Sequence, residues 1–207
     1  MKSFKELRFS GDHPVEETAG RSRQFSPREQ KAHHAFYLQN MVKVSAHLLP
    51  DLSAVFEGVK DKLGLGSGVE CYVCSDPEPG AFCVNLGNSF ESGEEPLVAV
   101  VLNSGLVNLL ADDELAVIIG HEIGHFLFSH REIPRPSESR PSLERLNALQ
   151  LHRAAEISCD RIGFICCPKN KTNSLEVCFR AMLKTASGLS DEFFRVDVSA
   201  YIDQIRE

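Results

Sequence analysis

The pentapeptide His-Glu-Ile-Gly-His at residues 121–125 constrains this chain more than any other feature. The apolar and small residues around it predict a helix. Residues four apart lie on one face of a helix, so His121 and His125 can present two imidazoles to one metal ion. Glu122 stands one residue further round, where its carboxylate can reach a water at the metal without displacing it. A hydrolytic zinc site needs three protein ligands and one open position, and this helix supplies two of the three.

A second helix is predicted over residues 143–164, where apolar residues recur near helical spacing with charges between them. Glu156 and Asp160 are four residues apart and share one face of this helix. Glu156 is therefore a candidate third ligand, and Asp160 is a carboxylate that can hold a ring nitrogen of a ligating histidine. His152 lies four residues before Glu156 and faces the same way, so it could compete as the third ligand.

His130 is predicted to lie off the ligand face, because it follows His125 by five residues. The longer metzincin pattern would need a glycine at position 128 and a histidine at position 131. Phe128 and Arg131 stand there instead. The sequence therefore excludes a metzincin.

The two predicted helices together resemble the M48 family of zinc metallopeptidases, which are gluzincins. The resemblance is carried by His121-Glu-Ile-Gly-His125, by the preceding Asp113-Glu-Leu-Ala, and by Glu156-Ile-Ser-Cys-Asp160. In that family the Glu of the last motif is the third zinc ligand, and its Asp supports the ligands from behind. The resemblance thus implies one zinc ion per chain, held by His121, His125 and Glu156 and supported by Asp160.

The resemblance also implies an α+β, zincin-like fold. In that fold a small, mostly antiparallel sheet packs on the HExxH active-site helix and on the Glu-bearing second ligand helix, with additional N- and C-terminal helices. The implied activity is that of a zinc-dependent endopeptidase, which hydrolyses peptide bonds of peptide or protein substrates with Glu122 as general base. Gly80-Ala81-Phe82 is similar to the Asn-Ala-Phe strand motif of the family, so Gly80, Ala81 and Phe82 are candidate substrate-binding residues.

The chain departs from the family pattern at Gly80, where the family has an asparagine, and in having no histidine after His152, whereas many members have one downstream. The missing downstream histidine supports an alternative function. The alternative is a catalytically silent metal-binding scaffold, or a chaperone-like module, on the same fold. Glu122 argues against it, since a purely structural metal site does not need a general base.

Composition restricts the possible partners and location. The formal net charge is −7 and no long basic cluster is present, so nucleic acid is not an expected partner. No apolar run approaches the ~18 residues of a membrane span. The seven cysteines cannot all pair, which favours a reducing compartment. We therefore expect a small soluble, cytoplasmic protein, unless a targeting segment has been removed.

The sequence divides into a flexible N-terminal arm, residues 1–25, and a single domain, residues 26–207. The arm is either a loose terminus or a prosegment that covers the cleft. Ser26-Pro27-Arg28-Glu29 predicts a capped helix start, and the helix is expected to run to Leu49, where Pro50 breaks it. The further predicted elements are helices over 52–63, 105–110, 173–187 and 190–206, and strands over 69–73, 81–86 and 97–102.

Overall fold

The computed structural model describes residues 26–86, 97–130, 141–168 and 173–193, together with residues 197, 200 and 203. The predicted N-terminal arm, residues 1–25, lies outside them. The elements in chain order are α1 (Pro27–Asn40), β1 (Val42–Lys43), α2 (Pro50–Leu63), β2 (Val69–Cys74), β3 (Ala81–Asn85), β4 (Val98–Asn103), α3 (Ser104–Leu109), α4 (Asp112–Leu127), α5 (Ser142–Cys166) and α6 (Ser174–Ser187). The predicted mixture of a small sheet with several helices is confirmed.

The four strands form one sheet in the order β1-β2-β4-β3. The pairs β1/β2 and β3/β4 are antiparallel, whereas β2 and β4 run parallel. Every residue of β4 is buried, because strands flank it on both sides and helices or strand side chains cover both faces. β3 is the terminal strand of the sheet among the described residues, and its residues are only partly buried.

The two faces of the sheet pack against different helices. One face joins α2, α3 and α4 in the main core, whose central side chains include Phe56, Val100, Leu106, Ile119 and Ile123. The opposite face carries a smaller cluster around Tyr72 and Val101, which packs against side chains of α1. The alternation of β-strand side chains explains this division, since Cys71 belongs to the first cluster and Tyr72 to the second. The main core therefore fixes α4, the helix of the His-Glu-Ile-Gly-His motif, against the sheet.

The predicted capping box at the start of α1 is confirmed. The backbone N–H of Glu29 donates to Ser26 Oγ at 3.3 Å, and the backbone N–H of Ser26 donates to Glu29 Oε2 at 2.8 Å. The predicted extent of this helix to Leu49 is wrong, because α1 ends at Asn40 and the chain becomes extended at Met41. The next residues pair with β2 as strand β1, so tertiary pairing overrides the local helical pattern.

Pro50 begins α2 rather than separating two helices, which corrects a second boundary. Proline suits the first position of a helix, because its missing N–H has no partner there in any case.

The predicted helix over residues 173–187 is confirmed as α6, and Asn173 caps it through a hydrogen bond that its side chain accepts from Leu175 N at 3.1 Å. The helix predicted over 190–206 is wrong at residues 191–193, which form a turn. Most of its remaining length lies outside the described residues.

Glu70 of β2 attaches α1 to the sheet. Its carboxylate accepts a hydrogen bond from Tyr72 Oη at 2.5 Å, lies 3.0 Å from His34 Nε2 on α1, and pairs with Lys43 Nζ. Burial disfavours the charged carboxylate, but the hydrogen bonds from Lys43 and Tyr72 and the charges of Lys43 and His34 outweigh it and hold the pKa of Glu70 below its ordinary value.

A fully buried ion pair anchors the first turn of α4 to α6. Glu114 and Lys184 are both 0% exposed, and Lys184 Nζ donates to Glu114 Oε2 at 2.8 Å. The same carboxylate accepts the backbone N–H of Ala111 at 2.9 Å, so Glu114 also caps the start of α4. Arg180 Nε lies 3.0 Å from Glu114 Oε1 and adds a second positive charge. These contacts with α6 hold the start of α4 in addition to the packing of α4 on the sheet.

Candidate metal centre

Three glycines let α4 and α5 cross with almost touching backbones. A Cβ placed on Gly124 would lie 3.1 Å from Cys159 Cα, and one placed on Gly120 would lie 3.2 Å from Gly163 Cα. A Cβ on Gly163 would lie only 2.7 Å from the carbonyl oxygen of Val117. Any larger residue at these positions would force the helices apart. This contact brings the carboxylates of α5 up to the histidines of α4.

The structure brings His121, His125 and Glu156 together. The two Nε2 atoms are 3.2 Å apart. Glu156 Oε2 lies 3.3 Å from His121 Nε2, and Glu156 Oε1 lies 3.6 Å from His125 Nε2. Zinc at its usual 2.0–2.1 Å from tetrahedral ligands sets those ligands about 3.3 Å apart. The three donors therefore already have the mutual spacing of a zinc ligand set.

The donor chemistry also fits a cation. Two neutral imidazoles that present lone pairs to each other at 3.2 Å repel unless a positive ion lies between them. Burial disfavours the charged form of His125 and lowers its pKa, an effect that His121 and His130 reinforce and Glu156 opposes. At neutral pH His125 is thus in the uncharged form that binds metals.

Asp160 lies behind His121 on the side away from the other donors. Its Oδ1 is 3.0 Å from His121 Nδ1, so the carboxylate can accept the Nδ1 proton and leave the Nε2 lone pair directed at Glu156 and His125. A carboxylate on the outer nitrogen of a ligating histidine is a recurrent partner in zinc sites. The i, i+4 spacing of Glu156 and Asp160 therefore places the two carboxylates on the two nitrogens of one ring.

Cys159 also lies within reach of the two histidines. Potential ligand atoms of His121, His125 and Cys159 lie within 4.8 Å of one another. The thiol is buried, and burial followed by the charges of Glu156, Glu122 and Asp160 raises the pKa of Cys159 to about 12. Glu156, which lies 3.3 and 3.6 Å from the two Nε2 atoms, and Cys159 are thus the two candidate third donors.

Glu122 lies on α4 beside His121 and is partly exposed. Its charge contributes to the raised pKa of Cys159, which places its carboxylate near the same cluster. His152 is partly buried on α5; among the described residues, the group His121, His125 and Cys159, whose potential ligand atoms lie within 4.8 Å of one another, includes neither His152 nor Glu156.

The predicted substrate residues lie at the beginning of β3. Gly80 precedes the strand, and a Cβ there would approach Asn103 Nδ2 to 3.0 Å, so the side chain of Asn103 occupies the space beside it. Ala81 packs towards the main core and Phe82 towards the cluster on the opposite face. Helix α4 packs against β3, which puts the metal cluster and this terminal strand on adjoining elements.

His130 lies off the ligand face, as expected, but its spacing from His125 did not predict its contacts with the cluster. It does not join the donors, but its Nδ1 lies 3.3 Å from His125 Nδ1 and 3.3 Å from Cys159 Sγ. The prediction assumed that the helix continues to residue 130, whereas α4 ends at Leu127 and the chain turns back. In the sequence, the prolines after residue 130 indicate that the helix ends, but they do not give its last residue.

Comparison with known proteins agrees with a metal-dependent peptidase. Residues 47–134, which include the whole of α4, match the sequence model of peptidase family M48. The chain is also 25% identical over 179 residues to the plastoglobule-localized metallopeptidase 48, chloroplastic, of Arabidopsis thaliana. That alignment covers 80% of this chain and 48% of the relative, so the chain spans about half of the relative's length.

The family match and the relative together support an M48 family metallopeptidase. Within the described part of the chain, no helix combines the length and the apolar character needed to cross a membrane.

Proposed function

We propose that the protein is a zinc-dependent endopeptidase in which His121, His125 and Glu156 hold the ion. The observation that carries this proposal is the approach of one carboxylate to both Nε2 atoms, at 3.3 and 3.6 Å. Two histidines and one glutamate are the ligand set of hydrolytic zinc sites that keep a fourth position open. The match to a family of metal-dependent peptidases supports the same reaction class.

Glu122 is the general base of the proposed reaction. When bound, zinc would supply a Lewis acid that activates water and polarises the scissile carbonyl. Glu122 accepts the proton of the attacking water and passes it to the leaving amine, for which its place next to His121 on the same helix is suited. A structural zinc site needs no such carboxylate, so Glu122 favours an enzyme over a scaffold.

Asp160 fixes the orientation of His121 in this proposal. By accepting the Nδ1 proton at 3.0 Å, it holds the ring in the tautomer whose Nε2 is free to bind the ion.

The substrate would bind in an extended conformation along β3. This strand ends the described sheet and packs on α4, so a peptide lying along it would pass near the ligand cluster, in a zincin-like arrangement. Gly80 lacks a side chain that could obstruct the beginning of that edge. We therefore assign Gly80, Ala81 and Phe82 to backbone contacts with substrate rather than to chemistry.

The test is digestion of a diverse peptide pool by the zinc-loaded protein, read by mass spectrometry. The matched variants are Glu122→Gln, which removes the base, and Glu57→Gln, which makes the same change at an exposed position of α2 remote from the cluster. Bound zinc is measured for each protein with a chromophoric chelator.

The proposal expects cleavage by the wild type and by Glu57→Gln, none above background by Glu122→Gln, and equal zinc in all three. Equal cleavage by all three would reveal a contaminating peptidase and remove the basis for the assignment of Glu122. Full zinc occupancy without cleavage by the wild type would contradict the enzyme and favour the metal-binding scaffold.

A further inference from the structure

The chain leaves α4 through a strained turn that returns His130 to the cluster. Phe128 ends the helix, and Ser129 adopts φ 52°, the left-handed region that non-glycine residues rarely occupy. Such a conformation costs roughly 1 kcal/mol or more, and it persists where the surroundings require it. Here it turns the backbone so that the ring of His130 lies against His125 instead of pointing away along a continued helix.

Three neighbours hold the ring of His130. It stacks on Phe128 with ring centroids 5.4 Å apart and an interplanar angle of 26°. It meets His125 edge-on, with centroids 5.4 Å apart at 78°. The buried thiol of Cys159 contacts its Nδ1 at 3.3 Å. The stacking on Phe128 and the contact with the Cys159 thiol therefore fix the position of His130 Nδ1, the nitrogen that faces His125.

We infer that His130 is a positioning residue for His125, whose Nδ1–H it accepts so that His125 Nε2 is free to bind the metal. The inference rests on the proposed function, because it assumes that His125 Nε2 is a ligand. Each of the two proposed ligands then has an acceptor for its Nδ1 proton: Asp160 for His121, and His130 for His125.

The chemistry of the three groups determines the direction of this hydrogen bond. A neutral imidazole has one donor and one acceptor nitrogen. If His125 Nδ1 were the acceptor, its Nε2 would carry the proton and could not bind zinc. A neutral thiol is only a weak donor, so the contact of Cys159 Sγ with the same His130 nitrogen leaves the single lone pair of that nitrogen chiefly to His125 Nδ1–H.

The test compares His130→Leu, His130→Asn and His130→Gln. The side-chain oxygen of Asn can reach the position of the imidazole Nδ1, whereas that of Gln lies one bond further out. Zinc affinity is measured by competition with a chelator, and the tautomer of His125 is read from the ¹⁵N shifts of the metal-free protein at neutral pH. His47→Leu, on an exposed turn remote from the cluster, controls for the loss of a histidine.

We expect the Leu and Gln variants to bind zinc about 10- to 100-fold more weakly than the wild type. The Asn and His47→Leu variants should stay near the wild-type affinity. In the metal-free wild type and the Asn variant, His125 should carry its proton on Nδ1, and in the Leu variant the two tautomers should mix.

Wild-type zinc affinity in both the Leu and the Gln variants would overturn the inference, as would an Nε2-protonated His125 in the wild type. Equal losses in the Asn and Gln variants would show a merely structural role and would overturn it too. Failure of the wild type to bind zinc would instead contradict the proposed function, and the tautomer measurement would still decide the role of His130.

Discussion

Replacement of Gly163 by alanine tests whether the close crossing of α4 and α5 builds the site. The new Cβ would lie 2.7 Å from the carbonyl oxygen of Val117. An ordinary carbon–oxygen contact needs about 3.3 Å. The carbonyl belongs to the backbone of α4 and has no rotamer to change, so the helices must separate locally by roughly 0.6 Å, the difference between the ordinary contact and the observed one.

The magnitude follows from two opposing effects. Forcing an extra methyl group into a packed interface costs about 1–3 kcal/mol. Alanine is a better helix former than glycine by about 1 kcal/mol, which offsets part of that loss. The net expectation is a decrease of about 0–2 kcal/mol in the free energy of unfolding, against the gain expected for an alanine in open space. A separation of this size would also lengthen the 3.0 Å contact between Asp160 and His121 beyond hydrogen-bond range, so zinc affinity should fall about tenfold.

Gly58 provides the matched control. It lies in α2, and a Cβ placed on it would meet no atom within 4 Å. Gly58→Ala should therefore raise the free energy of unfolding by about 1 kcal/mol and leave zinc affinity unchanged. Urea unfolding of the metal-free proteins, with chelator competition for zinc, measures both quantities. The reasoning would be refuted if Gly163→Ala were as stable as Gly58→Ala and bound zinc like the wild type.

Three further predictions concern other parts of the fold. Lys184→Met should lower the free energy of unfolding by about 3 kcal/mol, the low end of the range for a broken buried ion pair, because Arg180 Nε still lies 3.0 Å from the buried Glu114 carboxylate; urea unfolding should show much of this loss recovered in the Glu114→Leu/Lys184→Met double variant. The lowered pKa of Glu70 should contribute stability above its ordinary pKa of 4.5 and lose it as the pH falls through the lower folded value, so Glu70→Gln should flatten the dependence of unfolding free energy on pH in that acidic range; an unchanged slope would contradict the assignment. Ser129→Gly should leave the free energy of unfolding unchanged or raise it by up to about 1 kcal/mol, whereas Ser129→Val should lower it by about 1 kcal/mol or more. Equal melting temperatures of the Gly and Val variants would show that the turn is not strained.

Local patterns in the sequence predict the helices that carry the cluster. The periodicity of α4 and α5 is strong enough to give their positions within a few residues. The i, i+4 spacings then place His121 with His125 and Glu156 with Asp160, and the structure brings the two pairs together. The roles of these residues, the single-domain boundary at residue 26 and the cytoplasmic location stay predictions.

Features that depend on long-range contacts could not be predicted. The end of α1 is decided by the pairing of β1 with β2, which the local sequence does not encode. Glu114 is a reasonable first-turn acid by sequence, and only the tertiary structure shows that Lys184 meets it. The position of His130 depends on a left-handed residue, Ser129, of a type that rarely adopts this conformation. The sequence alone shows only three weak helix formers at Gly120, Gly124 and Gly163. Their role in the close crossing of α4 and α5 follows only from the position of the opposing backbone.

The glycine crossing of α4 and α5 also links metal occupancy to the folding equilibrium. Glu156 reaches the histidines only when the two helices are docked, so the unfolded chain offers at most the local His121–His125 pair. An ion whose free concentration is about 1,000 times its dissociation constant for the folded chain adds about 4 kcal/mol to the free energy of unfolding. With zinc as the proposed ion, the abundance of the folded protein should vary with free zinc in its surroundings, so that zinc supply would govern the lifetime of the chain.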